Sequence, residues 1–272
     1  MKPIILDGKK PAKEIEERLK LKVTKFKEKT GIVPTLAIIL IGENPASEMY
    51  IKIKLNVCDR VRVKTILIRL PGTSTTEGVI KKIEDCNNNI GINGILLQHP
   101  FPKQIDEEGC FRAINLRKDV DGLNPSSDFK CATPLGIITL LKHYNIEIEG
   151  KEVVVVGRSR ILGKPMAMML LEENATVTIC HSKTKDLPKI IKRADILVAA
   201  IGKPKFIQGE WIKKGAVVID AGYNPGNIGD VDLEKAIKKC SAYTPVPGGV
   251  GPMTIISLIG QVVDATEKII NK

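Results

Sequence analysis

Three residues and one polar turn could carry chemistry by type and placement: Tyr50, Lys54, Gln98 and the Asp119–Gly122 turn. Tyr50 and Lys54 follow Asn44-Pro45-Ala46-Ser47, a helix-start signature in which Asn44 caps and Pro45 takes the first turn. Four residues apart on a helix, they share one face. A Tyr–Lys pair at that spacing is common by chance and, standing alone, reads as solvated surface. Gln98 follows Ile95-Leu96-Leu97 and precedes Pro100, at the carboxyl end of a strand, where α/β proteins build their sites. Asp119-Val120-Asp121-Gly122 is a polar turn. Pro245 through Pro252 is too rich in glycine and proline for a helix or strand, and reads either as a linker or as a backbone wall against a ligand.

A second chemistry is that of a bound dinucleotide. Val153-Val154-Val155-Val156 runs into a turn bounded by Gly157 and Gly163, where backbone approaches a pyrophosphate and a following helix N-terminus attracts its charge. The spacing is not G-x-G-x-x-G, and a simple tight turn is the competing explanation. The next strand ends in Cys180-His181-Ser182, with no carboxylate until Asp186. An acid at that strand end binds the ribose hydroxyl of NAD and repels a 2′-phosphate. Arg158 and the Ser182 hydroxyl suit such a phosphate, favouring NADP, unless Arg158 is an ordinary surface residue.

The elements that must hold these residues are legible in the apolar pattern. Ala12, Ile15, Leu19, Val23 and Phe26 predict a helix over 11–29. Leu36–Ile41, Thr65–Leu70 and Ile92–Leu97 read as buried strands, separated by helical segments near 46–60 and 76–88. A helix over 134–144 follows, with Thr133 as its cap and Pro134 at its first position. Strands at Glu152–Val156, Thr176–Cys180, Ile196–Ile201 and Ala216–Asp220 precede a final helix from Thr254 to Ile270. Continuously apolar strands alternating with helices imply parallel sheets. The pattern therefore predicts two α/β domains that meet around 120–135.

Composition narrows the function classes. The net charge of +11 is spread along the chain and aromatics are only 4%, which argues against a nucleic-acid groove with its clustered cations and stacking rings. The six cysteines and three histidines are scattered without metal-ligand spacing, so no metal site and no disulfides are expected. No apolar run reaches the roughly 18 residues of a membrane helix, and Asp7 interrupts the N-terminus too early for a secretion signal. The expected location is the cytoplasm.

Taken in order, several stretches resemble the bifunctional methylenetetrahydrofolate dehydrogenase/methenyltetrahydrofolate cyclohydrolase family. They are Gly42–Ser47 running on to Tyr50 and Lys54, Lys118–Gly122, Val156–Ser159 through Gly163-Lys164-Pro165, Cys180–Ser182, and Pro245 through Thr254. The resemblance covers nearly the whole chain. It implies an N-terminal α/β catalytic domain over 1–133 that binds folate, with the C-terminal helix 253–272 packed back on it. It also implies a Rossmann-like NADP-binding domain over 134–252, folate bound between the domains, and a homodimer.

Carried over by position, the resemblance makes Lys54 the catalytic base or proton shuttle and Gln98 its orienting partner. Tyr50 stacks on the folate and Asp121 holds the pterin edge. Ser47, Leu97, His99, Pro247, Gly248, Gly249, Val250 and Gly251 line the substrate pocket, while Gly157, Arg158, Ser159, Ser182 and Tyr223 bind NADP.

Three departures from the family pattern stand out. The segment between Asp121-Gly122 and Thr133-Pro134 is short, His99 stands where leucine is usual, and Tyr223 replaces a smaller aliphatic residue. The rival readings are a dehydrogenase-only member of the family, an NADP oxidoreductase acting on a hydroxy acid, and a basic nucleic-acid-binding protein. The presence of Tyr50, Lys54 and Gln98 together argues against the first.

Overall fold

The structure, a computed structural model, describes residues 2–270. In chain order the elements are β1 (Ile4–Ile5), α1 (Lys9–Thr30), β2 (Thr35–Ile41), α2 (Pro45–Val61), β3 (Lys64–Leu70), α3 (Thr76–Asn88), β4 (Gly94–Gln98) and α4 (Glu107–Ala113). They continue with α5 (Ala132–His143), β5 (Glu152–Val156), α6 (Gly163–Glu172), β6 (Thr176–Cys180), α7 (Leu187–Ile191), β7 (Ile196–Ala199), β8 (Val217–Asp220), α8 (Leu233–Ala236), β9 (Ala242–Tyr243) and α9 (Val250–Ile270). No helix among the described residues is long and apolar enough to cross a membrane.

The chain divides into two compact units, one of Glu14–Ala132 with Ile255–Lys272 and one of Met1–Lys13 with Thr133–Thr254. The first is built on a parallel three-stranded sheet of order β3-β2-β4. All seven residues of β2 are buried, as its central position requires. At about 1.5–3 kcal/mol for each large aliphatic side chain fully buried, that strand alone anchors the sheet. Ala37, Ile39 and Ile41 pack with Val79 and Ile83 of α3 and with Phe111 of α4.

The second unit holds a six-stranded parallel sheet of order β1-β9-β8-β7-β5-β6. The chain runs from β5 outward to β6, then crosses to β7 on the opposite side of β5. The order thus reverses between β5 and β7, the doubly wound arrangement in which ligands bind beyond the carboxyl strand ends.

Three differences from the sequence expectation have physical causes. Residues 1–13, expected in the first domain, group with the six-stranded unit because β1 pairs with β9, Ile4 opposite Ala242. Thr133 is the second residue of α5 rather than its cap, with its hydroxyl accepting from Thr254 Oγ1 at 3.3 Å. Val250, Gly251 and Pro252, expected outside any helix, form the first turn of α9. A proline is tolerated there because first-turn N–H groups have no helical acceptor.

Candidate active site

Lys54, Gln98 and Asp121 come together in the three-stranded unit. Asn44 caps α2 by accepting the Ser47 N–H at 3.1 Å, which sets the helix phase. Ser47, Tyr50 and Lys54 then recur at three- and four-residue spacing on one face. Ser47 and Lys54 are buried and Tyr50 is half-buried. The Ser47 hydroxyl donates to the His99 carbonyl at 2.9 Å, tying the helix start to the end of β4. Lys54 Nζ donates to Gln98 Oε1 at 2.8 Å. Gln98 Nε2 donates to the His99 carbonyl at 2.7 Å, and this fixes the amide with its oxygen toward the amine.

Burial lowers the Lys54 pKa from its ordinary value, against the raising effect of the Asp121 carboxylate and, less, of Cys58. Asp121 keeps some solvent contact, yet the surrounding protein pushes it up to about 6; Lys54 opposes that shift and Asp119 adds to it. For both groups burial outweighs their mutual attraction, so each is shifted toward its neutral form relative to its ordinary range. Cys58, one turn beyond Lys54, is pushed up to about 12 by burial and is an inert thiol.

The turn carrying Asp121 is held from below. Lys118 Nζ donates to the carbonyls of Cys86, Asn87 and Asn89 at 3.1, 2.7 and 2.8 Å, capping the end of α3. Gln261 of α9 donates to the carbonyls of Val120 and Lys130 at 2.7 and 2.9 Å and accepts the Lys130 N–H at 3.1 Å. It clamps both ends of the short 121–131 segment. Sequence reasoning missed Gln261; its signal was a lone amide in a mostly apolar stretch, Ile255 to Val263.

The His99 ring stacks on Phe101 and Phe111, with centroids 4.4 and 5.4 Å apart. Burial and, less, Lys54 lower its pKa, while Glu107 raises it. Leu97 is buried in β4, within the core.

The remaining pocket candidates belong to the other unit. Pro247, Gly248 and Gly249 lie on the turn between β9 and α9, and Val250 and Gly251 open α9. Gly8, also missed from sequence, meets that turn backbone to backbone: its N–H donates to Gly248 O at 2.9 Å, and a Cβ on it would lie 1.8 Å from Gly249 O.

Gly157 follows β5 at φ +134°, with a hypothetical Cβ only 2.1 Å from Ala200 O, so no other residue fits where the loops after β5 and β7 abut. Its N–H donates to Cys180 O at 2.9 Å, and Ser159 Oγ accepts from Gly163 N at 3.3 Å where α6 begins. Arg158, Ser159 and Ser182 are exposed along this edge, and Tyr223, 38% exposed, donates to Asn227 Oδ1 at 2.7 Å. The bare backbone at Gly157 and the exposed Arg158 and Ser182 fit a phosphorylated dinucleotide. The sheet order and this turn define an α/β protein of the dinucleotide-binding class.

Comparison with known proteins narrows the class. A family model described as the NAD(P)-binding domain of tetrahydrofolate dehydrogenase/cyclohydrolase matches residues 131–270, and its catalytic-domain counterpart matches residues 6–121. A relative from Cellvibrio japonicus named Bifunctional protein FolD is 55% identical, over 98% of this chain and 99% of its own. The FolD methylenetetrahydrofolate dehydrogenase/cyclohydrolase of Campylobacter jejuni is a structural neighbour with a TM-score of 0.93 and 40% identity, covering 98% of this chain and 99% of its own. The Trypanosoma brucei enzyme, described as complexed with NADP and inhibitor, has a TM-score of 0.96 and 31% identity over the full length of both chains. The chain belongs to the tetrahydrofolate dehydrogenase/cyclohydrolase family.

Proposed function

We propose that the protein oxidises 5,10-methylenetetrahydrofolate to the 5,10-methenyl compound with NADP, then hydrolyses that product to 10-formyltetrahydrofolate. The observation that carries this reading is the buried Lys54 amine, held at 2.8 Å by Gln98 with the Asp121 carboxyl acting on it. A buried amine of lowered pKa is the group that hydrolysis of a cationic methenyl carbon requires. The names of the FolD relatives and the NADP complex of the Trypanosoma brucei enzyme support the same reading.

When bound, NADP would supply the acceptor for the hydride of the methylene carbon. Gly157, Arg158, Ser159 and Ser182 would hold its phosphates and ribose, with Tyr223 at the edge of the same site. In hydrolysis, water attacks the methenyl carbon and Lys54 takes one of its protons; the remaining hydroxyl proton passes to a ring nitrogen as that nitrogen's C–N bond breaks, leaving the formyl group on the other nitrogen. Gln98 keeps the amine aimed. Asp121 accepts from the pterin's amino and ring N–H donors, and Tyr50 stacks on the ring. Ser47 serves by fixing the His99 carbonyl, so that Leu97, Gln98 and His99 present a rigid strand end. Pro247, Gly248, Gly249, Val250 and Gly251 supply a backbone wall for the substrate.

The protein works as a homodimer in the cytoplasm. Exposed Met168 and Leu171 on α6 and Ile179 on edge strand β6 support self-association, and six free, buried cysteines suit a reducing compartment.

The test supplies methylenetetrahydrofolate with NADP or NAD and follows reduced coenzyme and formyl product together. Both products, with NADP preferred, are expected. Reduced coenzyme without enzyme-dependent formyl product would make this a dehydrogenase alone, and no coenzyme reduction would end the reading.

A further inference from the structure

Two buried aspartates of the six-stranded unit have no role in the steps described above. Asp220 ends β8 and is 1% exposed, and Asp230 lies in the loop before α8 at 0%. Asp220 Oδ1 accepts the N–H groups of Gly222 and Asp230, both at 2.9 Å, and its Oδ2 accepts that of Val231 at 2.9 Å. Asp230 Oδ2 accepts the N–H groups of Ile201 and Gly202 at 2.6 and 2.9 Å. Its Oδ1 accepts Lys203 N–H at 2.9 Å and Asn224 Nδ2 at 3.1 Å. The seven donors are uncharged N–H groups. Burial, opposed by these hydrogen bonds, pushes Asp220 up to about 6.

Residues 201–203 form a run of N–H groups converging on one point, with Gly202 at φ +70°, the geometry that elsewhere cradles an anion. Here the acceptor is the protein's own Asp230 carboxyl. Segment 201–203 follows β7 and segment 221–231 follows β8, both at the carboxyl edge of the sheet. In a doubly wound sheet the adenosine ribose is read at the end of the second strand, here β6, and the pyrophosphate at the first turn. The nicotinamide half therefore extends the other way, over β7 and β8. Those are the segments that the two carboxylates hold.

We propose that Asp230, backed by Asp220, is a positioning residue for the nicotinamide end of the coenzyme, fixing backbone segments 201–203 and 221–231 as one wall. The proposal rests on the coenzyme site described above. Asparagine at 230 keeps the shape but turns an NH2 group against N–H donors, so the wall shifts while the core remains filled.

The experiment measures NADPH affinity by fluorescence titration for wild type, Asp230→Asn and Arg158→Ala, with coenzyme-free hydrolysis of methenyltetrahydrofolate as the check on folding. For Asp230→Asn the expected result is hydrolysis retained, NADPH Kd raised about tenfold, and the dehydrogenase kcat lowered by a further factor of about ten. Weaker NADPH binding in Arg158→Ala with unchanged binding and kcat in Asp230→Asn overturns the positioning role. If neither variant weakens binding, the coenzyme site itself is wrong and the proposal falls with it. Should Asp230→Asn fail to fold, Asn224→Ala decides, since it removes the side-chain donor that ties the start of the 221–231 loop to Asp230 and leaves the carboxyl its three backbone donors; a Kd raised about threefold supports the clamp, and an unchanged Kd rejects it.

Discussion

Gln98→Glu replaces the neutral acceptor 2.8 Å from Lys54 Nζ with a carboxylate, in a site whose burial already disfavours the ammonium. At an effective dielectric of about 20, unit charges roughly 4 Å apart attract by about 4 kcal/mol, equivalent to about three pH units for the amine. The new carboxylate is itself desolvated, which works against its ionisation, so three units is the ceiling. The direction is fixed: an opposite charge favours the ammonium and raises the Lys54 pKa. Below that pKa the neutral fraction falls tenfold per unit, so methenyl hydrolysis near neutrality drops by up to about a thousandfold and its rising limb moves to alkaline pH. Gln98→Leu has the opposite sign. It removes an acceptor worth about 1.5–3 kcal/mol to a charged donor, lowers the amine pKa further, and moves the limb toward acid while orientation suffers. The assay is initial-rate hydrolysis of methenyltetrahydrofolate across the neutral and alkaline range, with the uncatalysed rate subtracted at each pH. If the two variants titrate alongside wild type, the protonation state of Lys54 does not govern hydrolysis and the reasoning fails.

Other outcomes follow from the same contacts. Lys54→Met removes the base and is expected to abolish nearly all enzymatic hydrolysis while NADPH titrates normally; hydrolysis at the wild-type rate would reassign the base. Arg158→Ala is expected to narrow the preference for NADP over NAD by about tenfold or more, the worth of one charge-assisted phosphate contact, as read from the ratio of kcat/KM values. Lys118→Met strands three carbonyls at the end of α3 and is expected to cost about 2–4 kcal/mol, lowering Tm by roughly 5–15 °C in a thermal melt. An unchanged melt would mean that water replaces the ammonium without loss.

Local pattern was enough for the elements that carry the chemistry. Asn44-Pro45 and the apolar phase that follows set α2, so Tyr50 and Lys54 fall on one face whatever the rest of the chain does. The fully apolar Leu36–Ile41 reads as a buried strand, and β2 is buried along its whole length. The turn from Val156 to Gly163 was legible because a coenzyme's phosphates need bare backbone, and the lack of an acid after Cys180 pointed to NADP for an electrostatic reason that requires no fold. Tertiary structure decided what depends on residues far apart in the chain. The two-residue strands β1 and β9 have no signature of their own and exist only because they pair across the sequence, which moves residues 1–13 to the other unit. Gln261 and Lys118 matter because folding delivers them to loop carbonyls that sequence spacing does not reveal. Above all, sequence names the Lys54 amine but cannot tell its charge. That is set by how much protein surrounds it, by the Gln98 oxygen 2.8 Å away and by the Asp121 carboxyl, all of which exist only after the chain has closed on itself.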